Sequence, residues 1–341
     1  MLKRIEWWAE NRKVLQTYQF GFRRGLCCAD NIATLVTDIR QANKDRKLTG
    51  VIFLDLVGAF DNVIPEVLVY CWKNTASHPK SLLSSRPLPR TVTSLDSVKI
   101  LLYADDIAIY SANENLDAIT DQLNVALNNI YHFLGLLGLS ISPSKSSFLV
   151  FSNMKNRNLR ILIRKSRQLP KILDENIPLS FSARFLGVYL DSELNWKSHI
   201  NQLRSKVIPR INIIKAISGI RWGAHPAVLI NVYKGFIRPL LDWGCQVFHP
   251  LDASLYLKVC RLQYAALRTV TGMMCTIPTN ALLDINGEQP LKTRPIPLEA
   301  LAAIIEKKKK KKTSQTTAYF FMTTLKQNLE NTWFFPSTPL C

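Results

Sequence analysis

Acidic side chains, histidines and long apolar runs are all scarce in this chain of 341 residues. It has 25 Asp and Glu against 44 Lys and Arg, and its formal net charge is +19. No apolar run approaches the roughly 18 residues that a membrane-spanning helix needs, so we expect no membrane partner. The first residues combine basic side chains with Glu6 and the pair Trp7 and Trp8, a poor signal peptide. These features predict an intracellular protein, nuclear or cytoplasmic, and not a secreted one.

Patterns for zinc sites and disulfides are also missing. The chain has five scattered histidines, and His199 near Trp196 has no second ligand at helical spacing, so we interpret it as structural. The seven cysteines are odd in number and lack the paired spacing of a zinc site. They are typical of reduced intracellular thiols.

Basic charge is what the chain has in excess. The run Lys307–Lys312 contributes six positive charges, and the remaining +13 is spread along the chain. Such a balance predicts a polyanionic partner, although charge alone does not separate nucleic acid from an anionic surface. The lysine run repels itself, and we expect residues 301–341 to form a basic disordered tail.

The most informative residues are three aspartates that follow apolar, strand-like runs. Asp105 and Asp106 lie between two β-prone runs in Ile100–Tyr110, which predicts a tight hairpin with the acid pair at its bend. Asp55 directly follows a second strand-like run, Val51–Leu54. Aspartates also favour turns for purely local reasons. Three carboxylates on rigid strands nevertheless suit two Mg²⁺ ions (Mn²⁺ is the alternative) that assist an in-line phosphoryl displacement.

Several segments, in a fixed order, resemble the reverse transcriptase of non-LTR retrotransposons, the LINE-like elements, and in particular the jockey-like kind. Asp55 with Phe60 and Asp61 resembles the family's motif A, and Tyr103–Asp106 resembles motif C. Other matching segments are Gln19–Gly25 with Asp30 (fingers), Gly138–Lys145 (motif D), Phe185–Asp191 with Trp196 (primer-gripping segment), and Tyr233–Gly244 and Gln263–Gly272 further along. The resemblance spans roughly residues 15 to 300.

This resemblance implies roles for individual residues. Asp55 and Asp105 would bind both metal ions, and Asp106 would support the site. Phe60 would stack under the incoming sugar and exclude a 2′-hydroxyl, or it is an ordinary core aromatic. Lys145 would protonate or contact the leaving pyrophosphate, or it is a solvent-facing lysine in a turn. The implied partners are an RNA template, a DNA primer or RNA–DNA hybrid, and dNTPs.

Arginines supply further candidates for binding nucleic acid. Arg23 and Arg24 could contact template or substrate phosphates, or could form a solvated charge cluster beside Asp30. Basic residues in the segment that follows Trp196 could track the backbone of a duplex, or could form a merely solvated face. These residues are Arg204, Lys206, Arg210, Lys215 and Arg221.

One part of the family pattern is missing. Only 49 residues, Leu56 to Ala104, separate the first aspartate from the acid pair, and they contain no Gln-Gly. Family members carry there a Gln-Gly and Ser-Pro segment (motif B) that leads into a helix against the nucleotide. The Ser- and Pro-rich interval here predicts an irregular loop. We therefore expect a truncated relative that lacks motif B.

The expected fold is α+β: a right-hand polymerase palm made of an antiparallel sheet with packed helices, partial fingers and a mostly helical thumb. We expect partial fingers over 1–48, a palm over 49–195, a thumb and connection region over 196–300, and the basic tail. The palm would carry a deletion around 71–97 and a connector over 153–180. We expect this connector to hold a hairpin with Pro170 and Pro178 near its bends. Strands are predicted at 51–54, 100–103, 107–110 and 147–151.

Helical periodicity predicts an amphipathic helix over Asn115–Leu137 that covers the back of this sheet, so that the acids lie on an open face. A strand over Phe185–Leu190 should rejoin the palm. In the thumb, one helical stripe is predicted at Ile200, Leu203, Val207 and Ile211, and another at Val228, Val232, Phe236 and Leu240.

Three functions follow from the sequence and stay open at this point. The first is an RNA-directed DNA polymerase that is impaired by the internal deletion. The second is a non-catalytic nucleic-acid-binding remnant of a retroelement. The third is a product without selected function, from a decayed element or an erroneous gene prediction, which sequencing of transcripts across Tyr70–Ser97 would reveal.

Overall fold

A five-stranded sheet forms the centre of the computed structural model, which describes residues 18–23, 25–58, 97–136, 138–154, 156–165, 168–219, 223–248 and 251–291, with Trp7 and Glu10. Its strands are β1 (Leu48–Leu54), β3 (Val98–Tyr103), β4 (Asp106–Asn113), β6 (Ser147–Phe151) and β9 (Leu179–Ser180). Their order is β3-β4-β1-β6-β9, antiparallel except for β6 and β9. The four strands predicted from the sequence are confirmed, and the mixed α+β class with them.

Both faces of this sheet are buried, because apolar residues occupy successive positions along its strands and therefore point to both sides. Every residue of β1 is buried; Val51 and Phe53 face one core, and Ile52 and Leu54 face the other. Helix α1 (Cys28–Lys44) covers the first face and α2 (Leu116–Leu136) the second. The expected open face is therefore wrong, since α1 occupies it. The three aspartates lie instead at the ends of strands.

Helix α2 agrees with its predicted bounds to within one residue. Its apolar residues at steps of three and four are buried against the sheet, and all belong to the second core: Leu116, Ile119, Leu123, Leu127, Ile130 and Leu134. The Asn115 side chain accepts a hydrogen bond from the Asp117 N–H at 3.0 Å, which satisfies one of the free amides at the start of the helix.

The segment after β6 contains a helix that the sequence did not predict. Helix α3 (Asn156–Lys165) buries Leu159 in the second core while its arginines face solvent. The hairpin expected between Pro170 and Pro178 is present as β7 (Lys171–Ile172) and β8 (Glu175–Asn176). The apolar residues of α3, Leu159 and the consecutive Ile161–Ile163, are too few to show a helical period.

The strand expected over Phe185–Leu190 is wrong as a single element. The chain forms a separate hairpin of β10 (Ser182–Phe185) and β11 (Val188–Asp191) with Leu186 and Gly187 as its turn. Both turn residues have positive φ, 47° and 83°, as a tight two-residue hairpin turn requires. The hairpin does not join the central sheet, but Phe185 packs on Phe53 with ring centroids 5.0 Å apart.

From Lys197 onward the described chain is helical. Its helices share a third core, except for Cys245–Phe248, whose buried residues belong to the first core. The helices are α4 (Lys197–Ile217), α5 (Pro226–Phe236), α6 (Arg238–Asp242), α7 (Cys245–Phe248), α8 (Ala253–Thr271) and α9 (Thr279–Ile285). The predicted stripe of α4 is confirmed at Ile200, Leu203 and Val207, which are buried. The second predicted stripe is confirmed in part: Val232 and Leu240 are partly buried against the third core. Val228 and Phe236 are exposed, and Leu229 and Tyr233 are buried in their place.

Parts of the predicted organisation fall outside the described residues. These are the interval 59–96, which includes the predicted deletion up to residue 96, and the basic tail over 301–341. Within the described ranges, no helix is long and apolar enough to cross a membrane.

Candidate active site

The acid pair lies on a hairpin with a two-residue turn, as the sequence predicts. Tyr103 pairs with Asp106 at the end of β3 and β4, so Ala104 and Asp105 form the turn. Ala104 has a φ of 54°, in the left-handed region that normally favours glycine. A non-glycine residue persists in this region only when its surroundings fix it.

Those surroundings include the segment Gln19–Gly21. Gln19 bridges to Leu102 in parallel, the Phe20 N–H donates to the Leu102 carbonyl, and the Leu102 N–H donates to the Tyr18 carbonyl, both at 2.9 Å. Gly21 then lies directly on the turn, where a Cβ atom would be 2.6 Å from the Ala104 nitrogen. The predicted fingers segment is thus an extra edge for β3 that supports the acid-bearing turn.

The pairing of β1 with β4 places Asp55 beside this hairpin. Strands β1 and β4 pair as far as Leu54 and Ile107, and continuing that register by one residue brings Asp55 opposite Asp106. Directly opposed residues of antiparallel strands have Cα atoms about 4.5–5.5 Å apart. The fold therefore joins two acidic segments that are about fifty residues apart in the chain.

The electrostatic environment of Asp106 includes the other two carboxylates. The pKa of Asp106 is raised, first by desolvation, although the residue is largely exposed, and then by the negative charges of Asp105 and Asp55. The guanidinium of Arg184, on β10, acts in the opposite direction. Like charges opposite each other destabilise a sheet unless a cation compensates them.

The three aspartates offer the type of ligand that Mg²⁺ prefers, but they are not closely grouped in this structure. Aspartate oxygens at strand ends are the hard ligands that this ion prefers. Among the described residues, however, no three His, Cys, Asp or Glu side chains are grouped closely enough to enclose a metal ion. The chemistry of Asp55, Asp105 and Asp106 fits a divalent cation. A bound cation would neutralise the negative charge of the three carboxylates and relieve their mutual repulsion.

Asp55 is held by hydrogen bonds from the predicted motif D. Its N–H donates to the Ser146 hydroxyl at 3.2 Å, and its carbonyl accepts from the Ser142 N–H at 2.9 Å. The following strands, β2 (Leu56–Val57) and β5 (Ser140–Ile141), pair with each other. Lys145 is exposed on the turn between Ser142 and Ser146, and these two serines are hydrogen bonded to the backbone of Asp55.

Within the described ranges, the structure does not bring the predicted arginine and aromatic candidates to the three aspartates. Arg23 is nearly buried and forms two hydrogen bonds with the Glu10 carboxylate, each 2.9 Å long, so its charge is paired and not solvated. Asp30 instead accepts a hydrogen bond from the Cys27 N–H at the start of α1. Arg24 and Phe60 lie outside the described residues.

The helical region presents basic residues to solvent along α4. Arg204, Lys206 and Lys215 are exposed, and Arg210 packs its guanidinium 4.9 Å from the centre of the Phe236 ring. Arg221 lies outside the described residues. His199 is buried, accepts a hydrogen bond from the Tyr189 N–H at 3.4 Å, and packs on Phe248.

Sequence reasoning missed two residues of this site, Arg184 and Ser146. Arg184 directly precedes the Phe185 segment that was recognised, but its effect on Asp106 depends on how the β10–β11 hairpin packs, which the sequence does not reveal. Ser146 follows Lys145 in a serine-rich stretch, where nothing in the sequence distinguishes it from Ser144. Its role depends on a contact with Asp55 across the fold.

Comparison with curated proteins agrees with the motifs. The chain is 22% identical over 308 residues to the probable RNA-directed DNA polymerase from transposon X-element of Drosophila melanogaster, covering 77% of this chain and 33% of that protein. It is 23% identical over 319 residues to the RNA-directed DNA polymerase from mobile element jockey of Drosophila funebris, covering 80% and 34%. The chain is thus similar to the RNA-directed DNA polymerases of non-LTR retrotransposons.

The relationship to non-LTR reverse transcriptases covers most of this chain but only part of each relative. A putative 115 kDa protein in the type-1 retrotransposable element R1DM of Drosophila melanogaster is 21% identical over 314 residues, which are 80% of this chain and 30% of that protein. The chain thus spans about one third of the length of the curated relatives that it matches. No family model matches the chain.

Proposed function

We propose that this chain is the RNA-directed DNA polymerase region of a non-LTR retrotransposon and that it catalyses templated nucleotidyl transfer from dNTPs. The observation that carries the proposal is the pairing of β1 with β4, which brings Asp55 to the Asp105–Asp106 hairpin. Two proteins that match most of this chain are named as RNA-directed DNA polymerases. The central sheet would be the palm, residues 18–26 part of the fingers, and the helices from Lys197 onward the thumb.

In this proposal the chain's own residues position the reactants. Asp55, Asp105 and Asp106 would hold two divalent ions, Mg²⁺ or Mn²⁺, which when bound neutralise charge on the attacking and leaving oxygens. The primer 3′-hydroxyl would attack the α-phosphorus of the dNTP, and pyrophosphate would leave. Lys145, on the loop beside Asp55, would protonate the pyrophosphate or pair with its charge. Phe60 would lie under the incoming sugar.

Turnover should be slow, because the interval between Asp55 and the hairpin lacks the Gln-Gly segment of motif B. Orientation of the nucleotide and fixed charges around it are together worth several orders of magnitude in rate. The three aspartates alone cannot replace a missing wall of the nucleotide site. We therefore infer an impaired polymerase that still binds its template, primer and dNTP.

Ternary-complex formation tests this function without requiring turnover. An RNA template with a dideoxy-terminated DNA primer is bound to the chain, and its dissociation is timed with Mg²⁺ and each of the four dNTPs. We expect only the complementary dNTP to slow dissociation, and we expect the Asp105→Ala, Asp106→Ala double variant to lose this effect. Equal rates with all four dNTPs would contradict templated polymerisation.

The second candidate, a nucleic-acid-binding remnant, is favoured by the exposed basic residues Arg204, Lys206 and Lys215 and by the absence of a closed metal shell among the described residues. A binding protein of this kind would hold the hybrid with an affinity that falls steeply with salt, by about 10³ between 50 and 200 mM for some six phosphate contacts. That affinity would be the same after Asp105→Ala, and no dNTP would change it.

A further inference from the structure

The Ser146 hydroxyl is a buried link between Asp55 and the loop that carries Lys145. Ser146 is 1% exposed. Its Oγ accepts a hydrogen bond from the Asp55 N–H at 3.2 Å and donates one to the Ser142 carbonyl at 2.7 Å. This one hydroxyl therefore connects the residue after β1 with Ser142 and Ser146, the residues on either side of the Pro143–Lys145 turn.

The second peptide group of Asp55 is tied to the same loop. Its carbonyl accepts from the Ser142 N–H at 2.9 Å, and the next residue, Leu56, pairs with Ile141. The Asp55 side chain itself is exposed, so these backbone contacts set the direction of its Cα–Cβ bond. Because a carboxylate moves with its Cα, a small rotation of either peptide group would displace the oxygens.

We propose that Ser146 is a positioning residue, which sets the direction of the Asp55 carboxylate and couples it to the loop of Lys145. This role rests on the proposed function, since it matters only if Asp55 and Lys145 act on one substrate. Without the hydroxyl, the Asp55 N–H loses its partner in a partly buried location, the Ser142 carbonyl keeps only the Ser146 N–H, and the end of β1 gains freedom. The contacts of Ser142 and Leu56 keep the fold intact.

The experiment compares Ser146→Ala with Ser146→Thr, which keeps a hydroxyl, and with Ser144→Ala. Ser144 is exposed on the same turn and makes only a 3.4 Å contact with the Ser142 hydroxyl, so it is a matched control. Hydrogen exchange of the Asp55 amide is the first measurement. We expect it to accelerate at least tenfold in Ser146→Ala and to be unchanged in the other two, while core amides such as those of Ile52 and Ile109 stay as slow as in the parent chain.

Single-nucleotide incorporation on a primed RNA template is the second measurement. We expect kcat to fall at least tenfold in Ser146→Ala, with the KM for the primed template unchanged and with Ser146→Thr restoring the rate. Unchanged exchange at Asp55, or faster exchange with an unchanged kcat, would overturn the positioning role. A parent chain that incorporates no nucleotide would overturn the proposed function instead, and the exchange measurement would still decide whether Ser146 fixes Asp55.

Discussion

At the scale of single residues, the site is made of acids in exposed positions and small residues in tight ones. Asp55, Asp105 and Asp106 are exposed, whereas Gly21 and Ser146 beside them are packed against backbone. The acids were recognisable because they follow apolar strands. The small residues were not, because a glycine or serine is informative only once its neighbours across the fold are known.

Gly21→Ala should disturb the acid-bearing turn. The new Cβ would lie 2.6 Å from the Ala104 nitrogen, a backbone atom that cannot swing away, so the segment and the turn must separate. We expect a loss of about 1–3 kcal/mol in the free energy of unfolding, measured by urea denaturation, and a loss of the response to the complementary dNTP.

Gly135→Ala is the matched control for that change. Gly135 lies near the end of α2 and a Cβ there would meet nothing within 4 Å. The same substitution should be neutral or should stabilise the chain by up to about 1 kcal/mol, because alanine favours the helix. Equal effects of the two substitutions would contradict the contact between Gly21 and the turn.

His199 should make stability depend on pH. Burial, and to a lesser extent the charge of Lys206, lowers the pKa of His199 to about 4 from the ordinary 6.5. Between these values the unfolded chain binds a proton that the folded chain excludes, so stability is complete above pH 6.5 and falls as the pH decreases toward 4. The expected loss is about 2–3 kcal/mol.

Urea denaturation at pH 7 and at pH 4.5 measures this loss. His199→Phe should make the difference between the two pH values smaller, since no imidazole remains to be protonated. His132→Gln changes an exposed histidine of α2 and should leave the difference as it is. An equal pH dependence in the parent chain and in His199→Phe would contradict the assignment.

At the scale of elements, four strands of the central sheet and helix α2 were predictable, and helix α1 and the short connections were not. Alternating or continuous apolar runs marked β1, β3, β4 and β6, and the three-and-four spacing marked α2. The β10–β11 hairpin was read as one strand because its turn, Leu186–Gly187, interrupts an apolar run by only two residues. What stabilises this turn lies elsewhere: the Trp243 indole N–H donates to the Leu186 carbonyl at 3.2 Å.

Helix α5 provides a test of the corrected apolar face. Leu229 is 2% exposed within the third core, and its neighbour Val228 is 54% exposed. Leu229→Ala should lower the free energy of unfolding by about 2–5 kcal/mol, because it leaves a cavity. Val228→Ala should change it by no more than about 0.5 kcal/mol. A larger loss for Val228→Ala than for Leu229→Ala in chemical denaturation would contradict the burial of Leu229 and support the apolar face that the sequence predicted.

At the scale of the whole molecule, the sequence indicated the related proteins more completely than it indicated the packing. Motif order resembled a non-LTR reverse transcriptase, and the curated proteins that the chain matches are named as RNA-directed DNA polymerases. The covering of the sheet by α1 was not predictable, since the amphipathic pattern of α1 shows that it is buried but not against which face. The same limit applies to Arg184, whose position depends on how the hairpin packs on Phe53.

The most direct test of the central claim is Mg²⁺-dependent incorporation of a dNTP on a primed RNA template. The parent chain is compared with the Asp105→Ala, Asp106→Ala double variant, after both are shown to bind the hybrid equally. We predict slow incorporation by the parent chain, limited to a few nucleotides, and none by the double variant. Incorporation that survives in the double variant would contradict the assignment of the site, and none by a hybrid-binding parent chain would establish a binding protein without turnover.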